Sequence, residues 1–208
     1  MKTKVDMENW ERKDHFAFFN SFDEPYYGLT VQVDCTATYL ACKGSERSFY
    51  LSYLHKSLAA ANSIKAFRYR IMEGEVYLMD RIHASPTVPR EGQPFGFSYV
   101  DFDPDYTTFA RAARAEIERV QNSTGLDPAS SGQDVIHYSS LPWLKFTALS
   151  HARHYGYPDS APKISFGKVY QEGERYLMPM SVHVHHGLID GEDIGLYVKA
   201  FEELLEQA

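Results

Sequence analysis

Three of the chain's nine histidines fall within four positions of SVHVHHGLIDGEDIG, residues 181–195. Imidazoles so placed are open to three chemistries: metal ligation, satisfaction of buried polar partners, or proton transfer. Side chains alternate faces along a strand. Met178, Met180, Val182, Val184 and His186 would then share one face, and Leu177, Pro179, Ser181, His183 and His185 the other. His186 therefore ends an apolar row just before a turn. Partial desolvation there favours the neutral imidazole, the form a general base needs near pH 7. The competing reading is a core histidine bonded to a backbone carbonyl, as buried polar groups usually are.

A metal site would draw on His183 and His185, which share a face in H-x-H spacing. Zinc needs more ligands than two. His151 and His154 are near only in number, and no carboxylate or cysteine completes a recognised spacing, so no metal is expected. Asp190 stands four residues after His186 and before Gly191. It fits the N-cap of a closing helix; alternatively it pairs with a cation and fixes the loop that holds His186. Gly187 and Gly191 permit a tight turn between them.

These residues need a scaffold, and 208 residues suffice for one domain, 1–208. Apolar residues make up 44% and charged residues 24%, ordinary for a globular chain. The net charge of -7 argues against a nucleic-acid surface. The N-terminus MKTKVDMENW lacks the apolar core of a signal peptide, and no run approaches the ~20 apolar residues of a membrane span. A cytoplasmic protein with no membrane partner is expected, its Cys35 and Cys42 as free thiols.

The patterning predicts helices over 8–19, 47–62, 104–122 and 191–207. The second carries Leu51, Leu54, Leu58 and Ala61 at helical spacing. The third is expected to start at an Asp103 cap and to bury Tyr106, Phe109, Ala113, Ile117 and Val120; the last, Ile194, Val198, Phe201 and Leu205. Strands are predicted over 28–37, 95–102 and 135–140, with hairpins over 67–84 (turn at Glu73-Gly74) and 163–186 (turn at Glu172-Gly173). Helices and hairpins mix without strict βαβ alternation. That favours an α/β fold, a two-layer α/β sandwich with a mixed β-sheet covered by helices.

The run HHGLIDG, 185–191, resembles the His-His-x-x-x-Asp-Gly motif of coenzyme A-dependent acyltransferases, which several families share. NWERKDHFAFF, 9–19, is similar to the N-terminal segment of chloramphenicol acetyltransferases. TVQVD (30–34), RSFYLSYLHKSLAAAN (47–62), GEVYLMDRIHASPTV (74–88), YSSLPWLKF (138–146) and ISFGKVYQEGERYLMPMSVHVHHGLIDG (164–191) follow in that family's order. The likeness extends over almost the whole chain.

The resemblance implies a homotrimer with active sites between subunits, and O-acetyl transfer from acetyl-CoA to chloramphenicol, an antibiotic inactivation. Acetyl-CoA would be a co-substrate, with no permanently bound cofactor. His186 would be the general base. Ser139 would stabilise the tetrahedral intermediate, and Ser165 would position a water. Asp190 would pair with Arg12 in a structural role. Tyr50, Trp143 and Lys168 would line the coenzyme A site. Phe18, Phe19, Tyr27, Phe97, Phe146, Leu149 and His151 would line the acceptor pocket.

The match departs where the acceptor should bind. Leu149 and His151 stand where the family commonly has apolar or aromatic residues, and Pro25 where a small residue or Cys is frequent. On the coenzyme side, Ser48 replaces a family lysine, and Arg47 beside it is the substitute phosphate partner. Two other readings stay open: the same chemistry on another alcohol or an amine, and a catalytically silent binding trimer. The presence of both His186 and Ser139 speaks against the last.

Overall fold

The computed structural model describes residues 1–126, 132–153 and 159–207. In chain order the elements are β1 (Lys2–Lys4), α1 (Lys13–Phe19), β2 (Tyr26–Asp34), α2 (Thr36–Lys43), α3 (Phe49–Ser63), a 3-10 turn (Lys65–Arg68), β3 (Tyr69–Met72), β4 (Glu75–Met79), β5 (His83–Arg90), β6 (Gln93–Phe97), α4 (Tyr106–Gln121), β7 (Val135–Ser140), β8 (Lys163–Phe166), β9 (Tyr170–Glu172), β10 (Arg175–His185) and α5 (Gly191–Leu205).

The main sheet runs β2-β10-β8-β7-β5-β6, with β9 on β10. β5, β7 and β8 are parallel to one another and the other pairs antiparallel, so the sheet is mixed as expected. Its even-numbered residues on β7, β8 and β10 face the helices. Ser57 of α3 bonds both the Tyr138 hydroxyl of β7 (3.1 Å) and the Tyr197 hydroxyl of α5 (2.7 Å). Ile136, Ile164, Phe166, Met180, Val182 and Val184 join that core. The spacing read on α3 holds: Leu51, Leu54, Leu58 and Ala61 are all buried. Tyr106, Ile117 and Val198 are only partly buried, whereas the other expected stripe residues of α4 and α5 are sealed.

Several boundaries differ from the sequence expectations, each for a local reason. α1 begins at Lys13, not near residue 8, because the Asp6 carboxylate takes the Glu8 N–H (3.1 Å) and the Asn9 amide (2.7 Å) and holds that stretch in a turn. The cap of α4 is Asp105, which accepts from the Thr108 N–H at 2.8 Å, while Asp103 accepts from Asp105 itself. β2 ends at Asp34, where the carboxylate bonds both the N–H and the hydroxyl of Thr36 and starts α2, a helix not anticipated. The 67–84 segment is not one hairpin. β3 and β4 turn at Glu73 (φ 55°) and Gly74 (φ 79°), the doubly positive geometry of a tight hairpin. They form a small sheet with β1, whereas β5 belongs to the main sheet. β6 stops at Phe97, leaving Val100 as a single bridge to Ala84. In the last hairpin Glu172 pairs with Arg175, which puts the turn at Gly173-Glu174, one residue later than expected.

Candidate active site

β10 ends at His185, and the next backbone N–H, that of His186, donates to the Pro25 carbonyl at 2.8 Å. The chain then coils tightly, with the N–H groups of Leu188 and Ile189 both reaching the His185 carbonyl. A Cβ at Gly187 would lie 3.2 Å from the Phe16 backbone and from the His185 ring, a tight fit that favours glycine where this turn seats against α1. The His186 ring stacks on Phe19 (centroids 4.0 Å, 21°) and leans on Tyr27 (4.3 Å). Tyr27 is the register partner of Val184, so His186 extends the row that faces the helices.

Four buried side-chain N or O atoms lack a hydrogen-bond partner among the described residues: His186 Nδ1, Tyr27 Oη, Arg12 Nε and Arg68 Nε. The first three belong to this one site. Unsatisfied buried polar atoms are rare in folded proteins and concentrate where function needs them. His186 Nε2 also makes no hydrogen bond among the described residues but is not sealed, which leaves it as the accessible nitrogen. Burial, followed by the charges of Asp190 and Asp193, pushes the Tyr27 phenol up to about 12, so it remains a neutral hydroxyl.

Behind His186, Arg12 Nη1 contacts Asp190 Oδ2 at 2.9 Å and Asp193 Oδ2 at 3.0 Å. Asp190 at the same time caps α5. Its carboxylate accepts from the N–H groups of Glu192 (2.9 Å) and Asp193 (3.1 Å), and Asp193 accepts from the Asp190 N–H (2.9 Å). Capping and ion pairing are thus two jobs of one carboxylate rather than alternatives. Partial burial raises the Asp190 carboxyl, but the Asp193 N–H and the Arg12 guanidinium outweigh it and hold it below the usual range. Asp193 is raised, by burial first and by Asp190 beside it. The sequence reading missed Asp193. Its signal was the capping-box spacing, an acidic residue three positions after Asp190.

The remaining candidates gather elsewhere. Ser139, Ser165 and Ser181 are in register on β7, β8 and β10, on the face away from α3 and α5. The Ser139 hydroxyl has no partner among the described residues and is not sealed from solvent. Ser165 is fully buried, and its Oγ lies 3.5 Å from Nε2 of His151. His151 meets the His183 ring edge-on at 4.8 Å, and His183 Nδ1 lies 3.3 Å from Ser181 Oγ. Burial, then the neighbouring His183, Lys163, His137 and Arg153, pushes His151 down to about 4. Leu149 is half-buried in the same segment, and Phe146 packs where a side chain on Gly167 would reach.

Tyr50 meets Tyr53 edge-on (5.6 Å), and the Tyr53 hydroxyl is 2.9 Å from Ser140 Oγ, next to Ser139. The Leu144 carbonyl accepts from the Lys168 N–H (2.8 Å), which ties Lys168 to the loop presenting Trp143, 65% exposed. Ser48 caps α3 through the Leu51 N–H, and Arg47 lies 4.5 Å over the Tyr106 ring.

The expected acceptor pocket is therefore divided. Phe19 and Tyr27 flank His186, while Phe18 packs on Phe19 and on Phe22 (5.0 Å), both Phe18 and Phe22 being exposed. Phe97 pairs with Thr87, on the sheet face that Ser85, His137 and Ser139 share; His151 contacts Ser165 on that same face, and Phe146 and Leu149 lie in the segment leading to His151. His186 is five residues past Ser181, roughly 16 Å along the strand at ~3.3 Å per residue, and on the opposite face. His154 lies outside the described residues. Among the described residues no three His, Cys, Asp or Glu side chains are grouped to hold a metal ion, and no helix is long and apolar enough to cross a membrane.

The family model for chloramphenicol acetyltransferase matches residues 1–202. The chain belongs to the chloramphenicol acetyltransferase family. A chloramphenicol acetyltransferase of Escherichia coli is 27% identical over 99% of this chain and 94% of its own length. Chloramphenicol acetyltransferase 3 of Escherichia coli is 29% identical over 97% and 96%. A solved structure of a chloramphenicol acetyltransferase superposes with a TM-score of 0.92 at 32% identity, covering 99% of this chain and 100% of that one. The two-layer mixed α/β architecture read from the sequence is thus the acetyltransferase-family fold.

Proposed function

We propose that this chain transfers the acetyl group of acetyl-CoA to a hydroxyl of chloramphenicol. It does so as a single-domain subunit of a cytoplasmic homotrimer, each active site combining His186 of one subunit with Ser139 of the next. The observation that carries this reading is the cluster of unsatisfied polar atoms around His186, with Nε2 left accessible. The separation of His186 and Ser139 within one chain supports the shared site, since one subunit alone cannot bring them together. The exposed Phe18 and Phe22, which pack on the Phe19 ring that stacks on His186, give a neighbouring subunit apolar surface to cover.

In this reading His186 Nε2 takes the acceptor's hydroxyl proton as the oxygen attacks the thioester carbonyl carbon. Such base catalysis contributes about 10²–10⁴-fold. The Ser139 hydroxyl donates to the oxyanion of the tetrahedral intermediate, typically worth about 2.7–4 kcal/mol. When the C–S bond breaks, the His186 imidazolium returns its proton to the departing thiolate, and the products are the acetyl ester and free CoA. Ser165 holds a water beside that intermediate. Tyr50, Trp143 and Lys168 bind the coenzyme. Arg12, Asp190 and Asp193 hold the turn from which His186 projects. The chemistry calls for no resident metal or cofactor.

Acetyl-CoA turnover, read as free thiol, tests the proposal. Wild-type protein should release CoA with chloramphenicol, and His186→Ala should reduce kcat at least about 100-fold. No release above background would overturn the assignment. A second reading changes the acceptor to another alcohol or an amine, and the polar His151 beside Ser165 is what favours it.

A further inference from the structure

We propose that His151 is a specificity-determining residue, whose imidazole hydrogen-bonds a polar group of the acceptor beside Ser165. Acceptors with a hydroxyl or amide oxygen at that point are then preferred over acceptors apolar there. This deepens the acetyl-transfer reading and rests on it.

His151 reaches over the sheet between Ser165 and His183. Ser139 sits one strand away, in register with Ser165, so about 4.8 Å separates the two backbones. A molecule reacting at Ser139 thus lies within side-chain reach of His151. The imidazole has unused capacity. Its one hydrogen-bond contact among the described residues, 3.5 Å to Ser165, is at the outer limit for such a bond, and a neutral ring offers one donor and one acceptor. Three neighbouring polar side chains are committed. Lys163 is paired with Asp159, Arg153 with Glu24 (3.1 Å), and His183 with Ser181. Burial and the surrounding cations keep His151 uncharged, so it recognises a polar group by hydrogen bonding rather than by charge. A site that hydrogen-bonds a substrate group discriminates against the analogue lacking it, because its own buried polar atom is then left unpaired.

The test compares two matched alcohols, 1-(4-nitrophenyl)ethane-1,2-diol and 2-(4-nitrophenyl)ethanol, by CoA release and by calorimetric binding, alongside chloramphenicol. Wild type should favour the diol by about 10-fold or more in kcat/KM. His151→Leu should remove or reverse that preference, chiefly through KM, and His151→Gln should restore part of it. Thermal melting checks that each variant is folded. An equal diol-to-alcohol ratio in wild type and His151→Leu would overturn the inference. If no acceptor is turned over at all, the acetyl-transfer reading fails. The binding arm still decides His151: affinities that do not differ between the two alcohols in wild type, or differ equally in His151→Leu, sink its role.

Discussion

Ser139 and His186 project from opposite faces of one β-sheet, with Ser139 in register two strands from Ser181 and His186 five residues beyond it. In their proposed roles of base and oxyanion donor, two residues so separated meet only across a subunit boundary. Subunit mixing checks this. Ser139→Ala and His186→Ala should each be nearly inactive alone. In the proposed trimer, refolding the two together should recover activity, because a mixed ring contains one intact interface in roughly three. No recovery in demonstrably mixed trimers would place the two residues outside a shared site.

The clamp behind His186 is separable by substitution. Asp190→Asn keeps an N-cap acceptor and removes the charge facing Arg12. Asp190 is 42% exposed, so screening limits the stability loss to about 1 kcal/mol or less. Asp190→Ala removes the cap as well and should cost about 1 kcal/mol more. Asp193→Asn alone should cost little, since Asp190 remains beside Arg12 and the repulsion between the two carboxylates is relieved. The double Asn variant leaves Arg12, 16% exposed, without an anion, and should exceed the sum of the single effects. Urea melts of the four proteins measure this, with kcat falling more than KM changes wherever the turn loosens.

Much of this was legible because local rules decide it. The Leu51-Leu54-Leu58 spacing marks α3 on any scaffold, and Val135–Ser140 is bounded by the same residues in sequence and structure. His186 ends its apolar row because strand alternation carries through β10. The division of the acceptor residues was not legible. Face and register depend on which strands pair, and β2, β5 and β7 lie far in sequence from their respective partners β10, β7 and β8. The small sheet escaped notice because β1 is three exposed polar residues, Lys2–Lys4, whose only strand signal is the partner β4.

Gly28 illustrates a constraint invisible to pattern reading. The His183 ring lies directly over it, and a Cβ there would come within 2.3 Å of the ring atoms. Gly28→Ala should displace His183 and, through their ring contact, His151. A loss of about 1–3 kcal/mol, typical of overpacking, is expected in thermal or urea unfolding. An Ala variant as stable as wild type would mean that His183 is free to move aside.

Acid stability follows from three buried imidazoles. Burial first, then nearby cations, pushes His137, His151 and His185 from the ordinary 6.5 down to about 4. His185 is the most enclosed at 2% exposed, and its Nδ1 accepts the Gly187 N–H at 3.2 Å. Each group takes up its proton more readily in the unfolded chain. Between about pH 6.5 and 4 the unfolded state therefore binds more protons, and stability rises with pH. The contribution is complete above the unfolded value and is lost as pH falls toward the folded one. For His185 it amounts to about 3 kcal/mol at most, and less for the half-buried His151. Melting temperatures taken at pH 7.5, 6, 5 and 4.5 should drop steadily over the last three. His185→Gln, which cannot titrate and keeps an acceptor for Gly187, should flatten that slope. A wild-type melting temperature constant from pH 6 to 4.5 would show that these imidazoles protonate without cost in the fold.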